Sequence, residues 1–443
     1  MIRIIFVLSI TLYLFSCTEN REVKQGSELE IKINDVAKGY VRLVLNAGQY
    51  DPDFVDAYYG PPEWRPSETN LQLDSVAYEN LNAIADSLLN NLEDLSSFKA
   101  TELETLRYKY LYKQLLAVKA KLFMINGGQL PFDQESKALY DAVTPVQSEE
   151  FFQQTIDKLN QTLPGRGSVE KRLNEFKRKF EIPKDKIEEV FKAAIKECRE
   201  RTAKYINLPA GESFELELVN NQPWGAYNWY KGNLRSVIQV NTDLPKHIND
   251  AVGIAAHEGY PGHHLYNILL EQAFVKKRGW MEFTVYPLFS PQSLIAEGTA
   301  VYGEEILFPP GERIKFETEV LFPLAGIDTK DAELFYQVEE LQKNLIYTGT
   351  FAAKNYLDGN WTREQTVKWL QKFELRTKES ADKFVSFIEK YRSYLINYSL
   401  GKDIIKEFIE KRGGSSENLA RSWELFELLI STPQTPTGLL STK

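Results

Sequence analysis

The sequence predicts a mainly α-helical fold that contains one small antiparallel β-sheet. Apolar residues recur at three- and four-residue steps from about residue 31 to residue 205, as on the buried face of a helix. Between residues 213 and 241 the spacing changes to alternation, which is typical of strands. Helical spacing then returns and continues to about residue 429. These three observations place a short sheet between two helical stretches of chain.

The chain begins with an apolar run that is typical of a secretory signal. Residues 4–16 follow a basic residue and are too short to span a bilayer. The run ends at Leu14-Phe15-Ser16-Cys17, which resembles the lipobox of bacterial lipoproteins. We therefore expect a signal peptide over residues 1–17, a lipid on Cys17 and a polar tether over residues 18–30. The alternative is an uncleaved anchor or an ordinary signal.

A lipid on Cys17 would place the mature protein in the bacterial cell envelope, in the periplasm or at the outer membrane, with the membrane as a partner. Cys198 would then be the remaining cysteine, so no intramolecular disulfide is expected. Because Cys198 continues an apolar helical stripe, its thiol is predicted to be buried in the core.

The charge of the chain argues against nucleic acid as a partner. The sequence has 53 lysines and arginines against 62 aspartates and glutamates, which gives a formal net charge of −9. Binding to a phosphate backbone needs a concentrated basic face, whereas here the basic residues are spread along the chain.

The first helical region is predicted over residues 31–210. Its clearest helix follows Pro183, and one face of it carries Ile187, Val190, Phe191, Ala194, Ile195 and Cys198. Glycines and prolines at 163–168 and 181–183 are predicted to separate helices. Residues 51–66 contain four prolines and four aromatic residues, and we expect an ordered loop whose aromatic side chains pack against the helices.

The second region is predicted over residues 211–432, and a tail without periodicity over residues 433–443. The region begins with an alternating strand at residues 214–218. A hairpin is then expected to turn near Gly232-Asn233 and to continue in a strand that ends near Val240. The sheet therefore immediately precedes the part of the chain that holds the histidines.

Three of the four histidines fall within the segment His-Glu-Gly-Tyr-Pro-Gly-His-His at residues 257–264. A zinc hydrolase needs three protein ligands and an open position, where bound water reaches a pKa near ~7 and a carboxylate takes its proton. In the His-Glu-x-x-His pattern both histidines share one helix face and the glutamate is the base. His257 and Glu258 fit the first two places, in a helix predicted from about residue 248 to residue 277. The segment predicts a zinc site, with a structural histidine cluster as the alternative.

Pro261 stands where the second histidine would be, so the predicted helix must kink or bulge. Proline has no N–H to bond the carbonyl of His257, and Gly262 gives the backbone freedom to loop out. On a straight helix His264 returns to phase but lies about 10 Å along the axis. His263 faces the site if two residues loop out. We predict His263 as the second ligand and keep His264 as the alternative.

The third ligand is expected from a later helix. Glu297 lies among small apolar residues in the segment Ile-Ala-Glu-Gly-Thr-Ala-Val-Tyr-Gly-Glu-Glu, where an unpaired buried carboxylate would be unfavourable. Coordination of a dication removes that penalty. Glu304 and Glu305, at the end of the same segment, are expected to orient histidines or to face water.

These motifs resemble the DUF885 family of bacterial proteins, whose hallmark is His-Glu-x-x-Pro-Gly-His-His followed by a Glu-Gly-x-Ala-x-Tyr segment. The resemblance covers about residues 228–402. That family is grouped with zinc metallopeptidases of the gluzincin type and is similar in helical architecture to the carboxypeptidase Taq and angiotensin-converting-enzyme families. The resemblance implies a multi-helical metallopeptidase-like fold, with Zn²⁺ held by His257, His263 and Glu297 and with Glu258 as the base.

We therefore expect a zinc-dependent peptidase, including the carboxypeptidase type, that hydrolyses peptides outside the cytoplasm. Tyr398 is a candidate to hydrogen-bond the developing oxyanion, or else a packed core tyrosine. The strand at residues 237–241 is a candidate to pair with an extended substrate. A C-terminal carboxylate would need a cation, and the candidates are Arg235, Arg392 and Lys402.

Two other functions fit the same residues. Phe351 stands where relatives often carry a histidine, which favours a lipid-anchored peptide-binding protein that keeps a metal for structure. A zinc amidase that acts on a non-peptide bond is the third candidate.

Overall fold

A computed structural model describes residues 28–68, 71–145, 147–222 and 224–441 of the chain. The predicted mainly α-helical fold is confirmed, with a small sheet before the segment that holds the histidines. The predicted signal peptide and Cys17 lie outside the described residues. Helix α1 begins at Glu28, inside the stretch predicted as a tether. Within the described ranges, no helix is long and apolar enough to cross a membrane.

The first part of the chain is a series of helices whose apolar faces pack together. The predicted breaks at 163–168 and 181–183 both fall between helical segments, and Cys198 is buried as expected. The helices are α1 (Glu28–Ala47), α2 (Ser75–Asp94), α3 (Glu102–Ile125), α4 (Phe132–Tyr140), α5 (Glu149–Thr162), α6 (Val169–Lys177) and α7 (Ile187–Thr202).

Two small sheets lie beside the helices. The first joins β1 (Val55–Tyr58) and β5 (Val285–Pro287) in antiparallel pairing, so the proline-rich segment at residues 51–66 contains a short strand. The second has the order β2-β4-β3, with β2 (Ser213–Val219), β3 (Ala226–Gly232) and β4 (Arg235–Asn241).

The predicted hairpin is present as the antiparallel pair β3–β4. Asn233 and Leu234 form its turn with φ values of 54° and 62°, as a type I′ turn requires at both central residues. Strand β2 pairs in parallel with β4, so this sheet is mixed. Strand β4 is therefore central, with both of its edges paired. The prediction that residues 237–241 offer a free edge to a substrate is wrong for that reason.

Helices make up most of the remaining chain, and the predicted tail ends in a short helix. They are α8 (Ile248–Ile254), α9 (His263–Leu270), α10 (Pro291–Leu307), α11 (Glu312–Phe316), α12 (Phe322–Ala325), α13 (Ala332–Lys343), α14 (Thr348–Leu357), α15 (Arg363–Phe373), α16 (Lys378–Tyr391), α17 (Ile396–Glu410), α18 (Leu419–Ile430) and α19 (Pro436–Ser441).

Side chains of both predicted regions share one continuous hydrophobic core. A buried ion pair also joins the regions, since Arg107 on α3 contacts Glu282 through two hydrogen bonds of 2.5 and 3.0 Å. Helices α10 and α17 approach closely where two glycines meet: a Cβ on Gly298 would lie 2.5 Å from the carbonyl carbon of Gly401. This contact sets the position of Glu297, the neighbour of Gly298, relative to α17.

Candidate metal centre

The helix that carries the histidines is broken at the place predicted. Helix α8 continues into a wider π-helical turn over Ala255–Gly259, the Tyr260–Pro261 peptide bond is cis, and α9 begins at His263. The N–H of Gly262 donates to the carbonyl of Ala256 over 2.9 Å. A Cβ on Gly262 would lie 1.8 Å from the carbonyl oxygen of His257, so only glycine fits this turn.

The break brings two imidazole rings together with a carboxylate from α10. The ring centroids of His257 and His263 are 4.7 Å apart. The Nε2 atom of His257 lies 3.3 Å from Glu297 Oε2, and the Nε2 atom of His263 lies 3.6 Å from Glu297 Oε1. The candidate ligand atoms of the three residues all lie within 4.8 Å of one another. The three residues predicted as ligands are therefore neighbours in space.

This arrangement fits a zinc ion. Atoms bound tetrahedrally at about 2.0–2.1 Å from the metal lie roughly 3.4 Å apart, close to the two distances from Glu297 to the histidines. Glu297 Oε2 is buried and has no hydrogen-bond partner among the described residues. A buried carboxylate oxygen that accepts no hydrogen bond is unfavourable in a folded protein, and a cation at this point would satisfy it.

Charges within the cluster are strongly coupled. Burial alone would raise the pKa of Glu297, but the charge of His263 and the close approach of both imidazoles hold this pKa well below its usual range. Burial alone would lower the pKa of His263, but the carboxylate of Glu297 raises it to about 9. The positive charge of protonated His263 thus balances the negative charge of Glu297, and a metal would displace that proton when it binds.

Glu258, the predicted base, lies in the wall of the same pocket as the three candidate ligands. Burial raises the pKa of its carboxyl, the charge of Glu297 raises it further, and the two imidazoles oppose these effects. A carboxyl with a raised pKa is suited to accept and return a proton near neutrality. The main-chain oxygen of Glu258 accepts a hydrogen bond of 2.6 Å from Asn228 Nδ2, which ties this turn to β3.

Tyr398 also lines the pocket, and its ring centroid is 6.4 Å from that of His257. Burial raises the pKa of its phenol far above the usual value, so the group stays protonated and can donate a hydrogen bond. Tyr394 lies one turn earlier, and its hydroxyl donates to Glu297 Oε1 over 2.8 Å.

The alternative ligand, His264, does not join the cluster. Its ring is fully buried, with Nδ1 2.8 Å from Ser236 Oγ and Nε2 3.1 Å from Glu212 Oε2. His264 lies apart from His263 because consecutive residues at the start of α9 point in different directions, and its side chain turns towards the sheet. Burial would raise the pKa of Glu212, but hydrogen bonds from His264, Tyr260 and Arg199 lower it to about 2. His264 therefore anchors α9 to β4.

The pocket residues that were not predicted from the sequence include Asp56, Asn228 and Tyr394. Tyr394 precedes Tyr398 by four residues, a spacing that could have drawn attention to it. Asn228 alternates in β3 with Ala226 and Tyr230, which also line the pocket. Asp56 comes from β1 and reaches the site only because β1 pairs with β5, and no local pattern around it indicates this.

The predicted acidic and basic groups outside the cluster lie elsewhere. Glu304 pairs with Arg313, and Glu305 lies 3.0 Å from Lys402 Nζ; these residues line a separate cavity of about 1110 Å³.

Arg392 pairs with Glu135 at 2.7 Å, and Arg235 is exposed at the start of β4. None of the three cations proposed for a C-terminal carboxylate lines the pocket of the cluster.

Phe351, the residue that replaces a histidine of the resembled family, packs in an aromatic group instead of the pocket. Its ring centroid lies 4.8 Å from that of Trp369 and 5.7 Å from that of Trp361. Position 351 therefore contributes to an aromatic contact and supplies no ligand atom to the cluster.

No family model matches the chain, and no curated protein matches it in sequence. The fold is similar to a solved structure titled "putative lipoprotein from Colwellia psychrerythraea", with 15% identity, a TM-score of 0.49 and coverage of 86% of this chain and 70% of that chain. It is also similar to a "putative lipoprotein of unknown function from Shewanella oneidensis", with 12% identity, a TM-score of 0.43 and coverage of 81% and 73%. Similarity this low carries no argument about function, and the DUF885 resemblance stays a prediction.

Proposed function

We propose that the protein is a zinc-dependent peptidase. The observation that carries the proposal is the convergence of His257, His263 and Glu297, with a buried glutamate oxygen that lacks a partner. Two imidazoles and one carboxylate form the donor set of several catalytic zinc sites, which leave a position open for water or substrate. Glu258 and Tyr398 line the same pocket. The pocket therefore contains a carboxyl group that can accept a proton and a phenol that can donate a hydrogen bond.

Each residue has a distinct task in peptide hydrolysis. Zn²⁺ bound by the three ligands would supply a Lewis acid that polarises the carbonyl and increases the acidity of water. Glu258 accepts a proton from the attacking water and returns it to the departing amine. Tyr398, kept protonated by burial, donates to the carbonyl oxygen as negative charge develops there. Asn228 holds the main chain at Glu258 in place.

An extended substrate would pair with β3 instead of β4. Strand β3 is at the edge of its sheet, and no other described strand pairs with its outer side. Its residues Ala226, Tyr227, Asn228 and Tyr230 line the pocket. Addition of a peptide strand to such an edge is a common mode of recognition.

We further propose that Cys17 carries a lipid and that the enzyme acts in the bacterial cell envelope. The support is the sequence itself, a short apolar run that ends in Leu14-Phe15-Ser16-Cys17. The resemblance of the motifs to the DUF885 family, with its gluzincin relatives, supports the peptidase proposal in the same way.

Alanine variants of the two adjacent histidines test the zinc site. His263→Ala removes a ligand, so we expect zinc affinity to fall by more than the roughly 10- to 100-fold typical of outer partners. His264→Ala is the matched control: it should keep one zinc per chain but lose about 1–3 kcal/mol of unfolding free energy, because Glu212 and Ser236 lose a buried partner. Metal analysis and urea unfolding measure both effects.

Hydrolysis of a mixed peptide library by the zinc-loaded protein, with and without a chelator, completes this test. Peptide cleavage that is abolished by the chelator would support the proposed zinc-dependent peptidase function. Zinc loss from His264→Ala alone would contradict the ligand assignment. A zinc-containing protein that cuts no peptide would instead be a peptide-binding protein or an amidase for non-peptide bonds.

The two tyrosines should give opposite results when changed to phenylalanine. For Tyr398→Phe we expect kcat to fall about 10²–10³-fold with zinc retained, because a hydrogen bond to the developing oxyanion is lost. For Tyr394→Phe we expect zinc affinity to fall about 10–100-fold, because Glu297 loses its donor, while turnover at saturating zinc changes less. Zinc titration and steady-state kinetics separate the two. The reverse pattern would show that the roles are exchanged.

A further inference from the structure

The pocket around the candidate metal ligands is acidic. Its lining includes three carboxyl groups, from Asp56, Glu258 and Glu297, and no lysine or arginine among the described residues. If Glu297 binds zinc and Glu258 acts as the base, Asp56 is left without a task in the proposed reaction. An acidic group in the wall of a substrate pocket favours a cationic part of the substrate.

Asp56 lacks the partners that a carboxylate in such a place normally has. Within the described ranges, no side chain or main-chain N–H donates a hydrogen bond to it, and no ion pair involves it. Asp56 lies in one pocket with Glu258 and Glu297, so burial and these two negative charges disfavour its own charge, while His263 opposes them. A cation from a ligand would compensate for both the missing partner and the lost hydration.

Asn228 offers a second acceptor in the same pocket. Its Nδ2 donates to the main-chain oxygen of Glu258, which fixes the orientation of the amide. Its Oδ1 is buried and has no hydrogen-bond partner among the described residues. A protonated primary amine has three N–H donors, which suits a pocket wall formed in part by the Asp56 carboxylate and the Asn228 amide.

We propose that Asp56 and Asn228 bind the protonated amino terminus of the substrate, so that the enzyme removes residues from the N-terminal end of peptides. This inference rests on the proposed peptidase function and names its substrate class. It departs from the expected carboxypeptidase type, because Arg235, Arg392 and Lys402 all lie outside the pocket. Asp56 and the candidate zinc ligands line one small pocket of about 90 Å³, so a cation bound by Asp56 would lie close to the carbonyl that is attacked. The amino group of a first residue is that close to its own carbonyl, whereas the ammonium of a lysine side chain is several methylenes away.

Four matched peptides without arginine test the proposal with the zinc-loaded protein. They are a free peptide, its N-acetylated form, its C-amidated form, and an N-acetylated form with lysine as the first residue. We expect acetylation to lower kcat/KM on the order of 10- to 100-fold, the effect of losing hydrogen bonds to a charged group, while amidation has little effect. Cleavage should release residues from the N-terminus.

Two results would overturn the proposal while the peptidase function stands. The first is cleavage of the acetylated peptide at the rate of the free one, with amidation causing the loss. The second is full rescue by lysine in the acetylated peptide, which would make the ligand a side-chain ammonium. If none of the peptides is cut, the peptidase function itself fails. Calorimetric titration with the free and acetylated peptides then tests the amine site alone, and equal binding of the two would refute it.

The Asp56→Asn variant supplies a test on the protein side. Asparagine keeps the shape of the side chain but removes the charge, so the ratio of kcat/KM for the free and acetylated peptides should fall towards one. Zinc content and urea unfolding show whether the variant folds with its metal. An unchanged ratio in a folded, zinc-containing variant would refute the role of Asp56, and the peptide comparison decides the question if the variant does not fold.

Discussion

Glu258→Gln is expected to lower kcat for peptide hydrolysis by about 10²–10⁴-fold and to leave one zinc bound per chain. The change keeps the size of a buried side chain but removes the group that accepts the proton of the attacking water. Zinc should remain because Glu258 is not among the clustered ligand atoms of His257, His263 and Glu297. Steady-state kinetics and metal analysis on the same preparation measure both quantities.

Glu305→Gln is a matched control for this variant. Glu305 lies on α10 with Glu297 but lines the separate, larger cavity, where it pairs with Lys402. The same chemical change there should leave kcat within a few-fold of the original, since no reacting group is touched. Retained hydrolysis in Glu258→Gln, or loss of its zinc, would contradict the role given to Glu258.

The helices and strands could be predicted because burial of one face leaves a regular spacing in the sequence. The stripe from Ile187 to Cys198 became the buried face of α7, and Gly232-Asn233 marked the turn of the β3–β4 hairpin. Strand partners could not be predicted in this way. Alternation identifies β2 as a strand but does not say that it pairs in parallel with β4, because pairing depends on how distant segments pack.

The residues of the candidate site also divide into those that local spacing predicts and those that depend on the packing of distant segments. His257 and Glu258 follow from local spacing, and Glu297 from a carboxylate set among small apolar residues. The choice between His263 and His264 depended on how many residues loop out at the break, which only the folded backbone shows. Asp56 lies on β1, and its approach to the site depends on the pairing of β1 with β5.

Two close backbone approaches hold the site together. At Gly298 and Gly401, α10 meets α17, which carries Tyr398 and is preceded by Tyr394. At Gly262, the chain folds back on the carbonyl oxygens of Ala256 and His257. The first sets Glu297 relative to the two tyrosines, and the second sets the two imidazoles relative to each other. Both depend on the absence of a side chain, so the geometry of the three candidate ligands depends on glycines that are not ligands themselves.

Gly262→Ala should therefore abolish zinc binding and lower the unfolding free energy by about 3 kcal/mol or more. The added Cβ would lie 1.8 Å from His257 O and 2.4 Å from Ala256 O, which are main-chain atoms that cannot move aside as a flexible side chain would. The turn must open, and His263 then moves away from His257. Zinc stoichiometry after dialysis and urea unfolding measure the two effects.

Gly259→Ala is the matched control, three residues earlier in the same break. A Cβ there meets the ring of Phe214 at 3.5 Å and Cδ1 of Ile238 at 3.9 Å, which are ordinary contacts, so zinc should stay bound and stability should change by no more than about 1 kcal/mol. If Gly262→Ala binds zinc as tightly as the original protein, the ion does not depend on this turn. The two imidazoles would then not be brought together by the break at Pro261 and Gly262, and the assignment of His257 and His263 as joint ligands would fall with it.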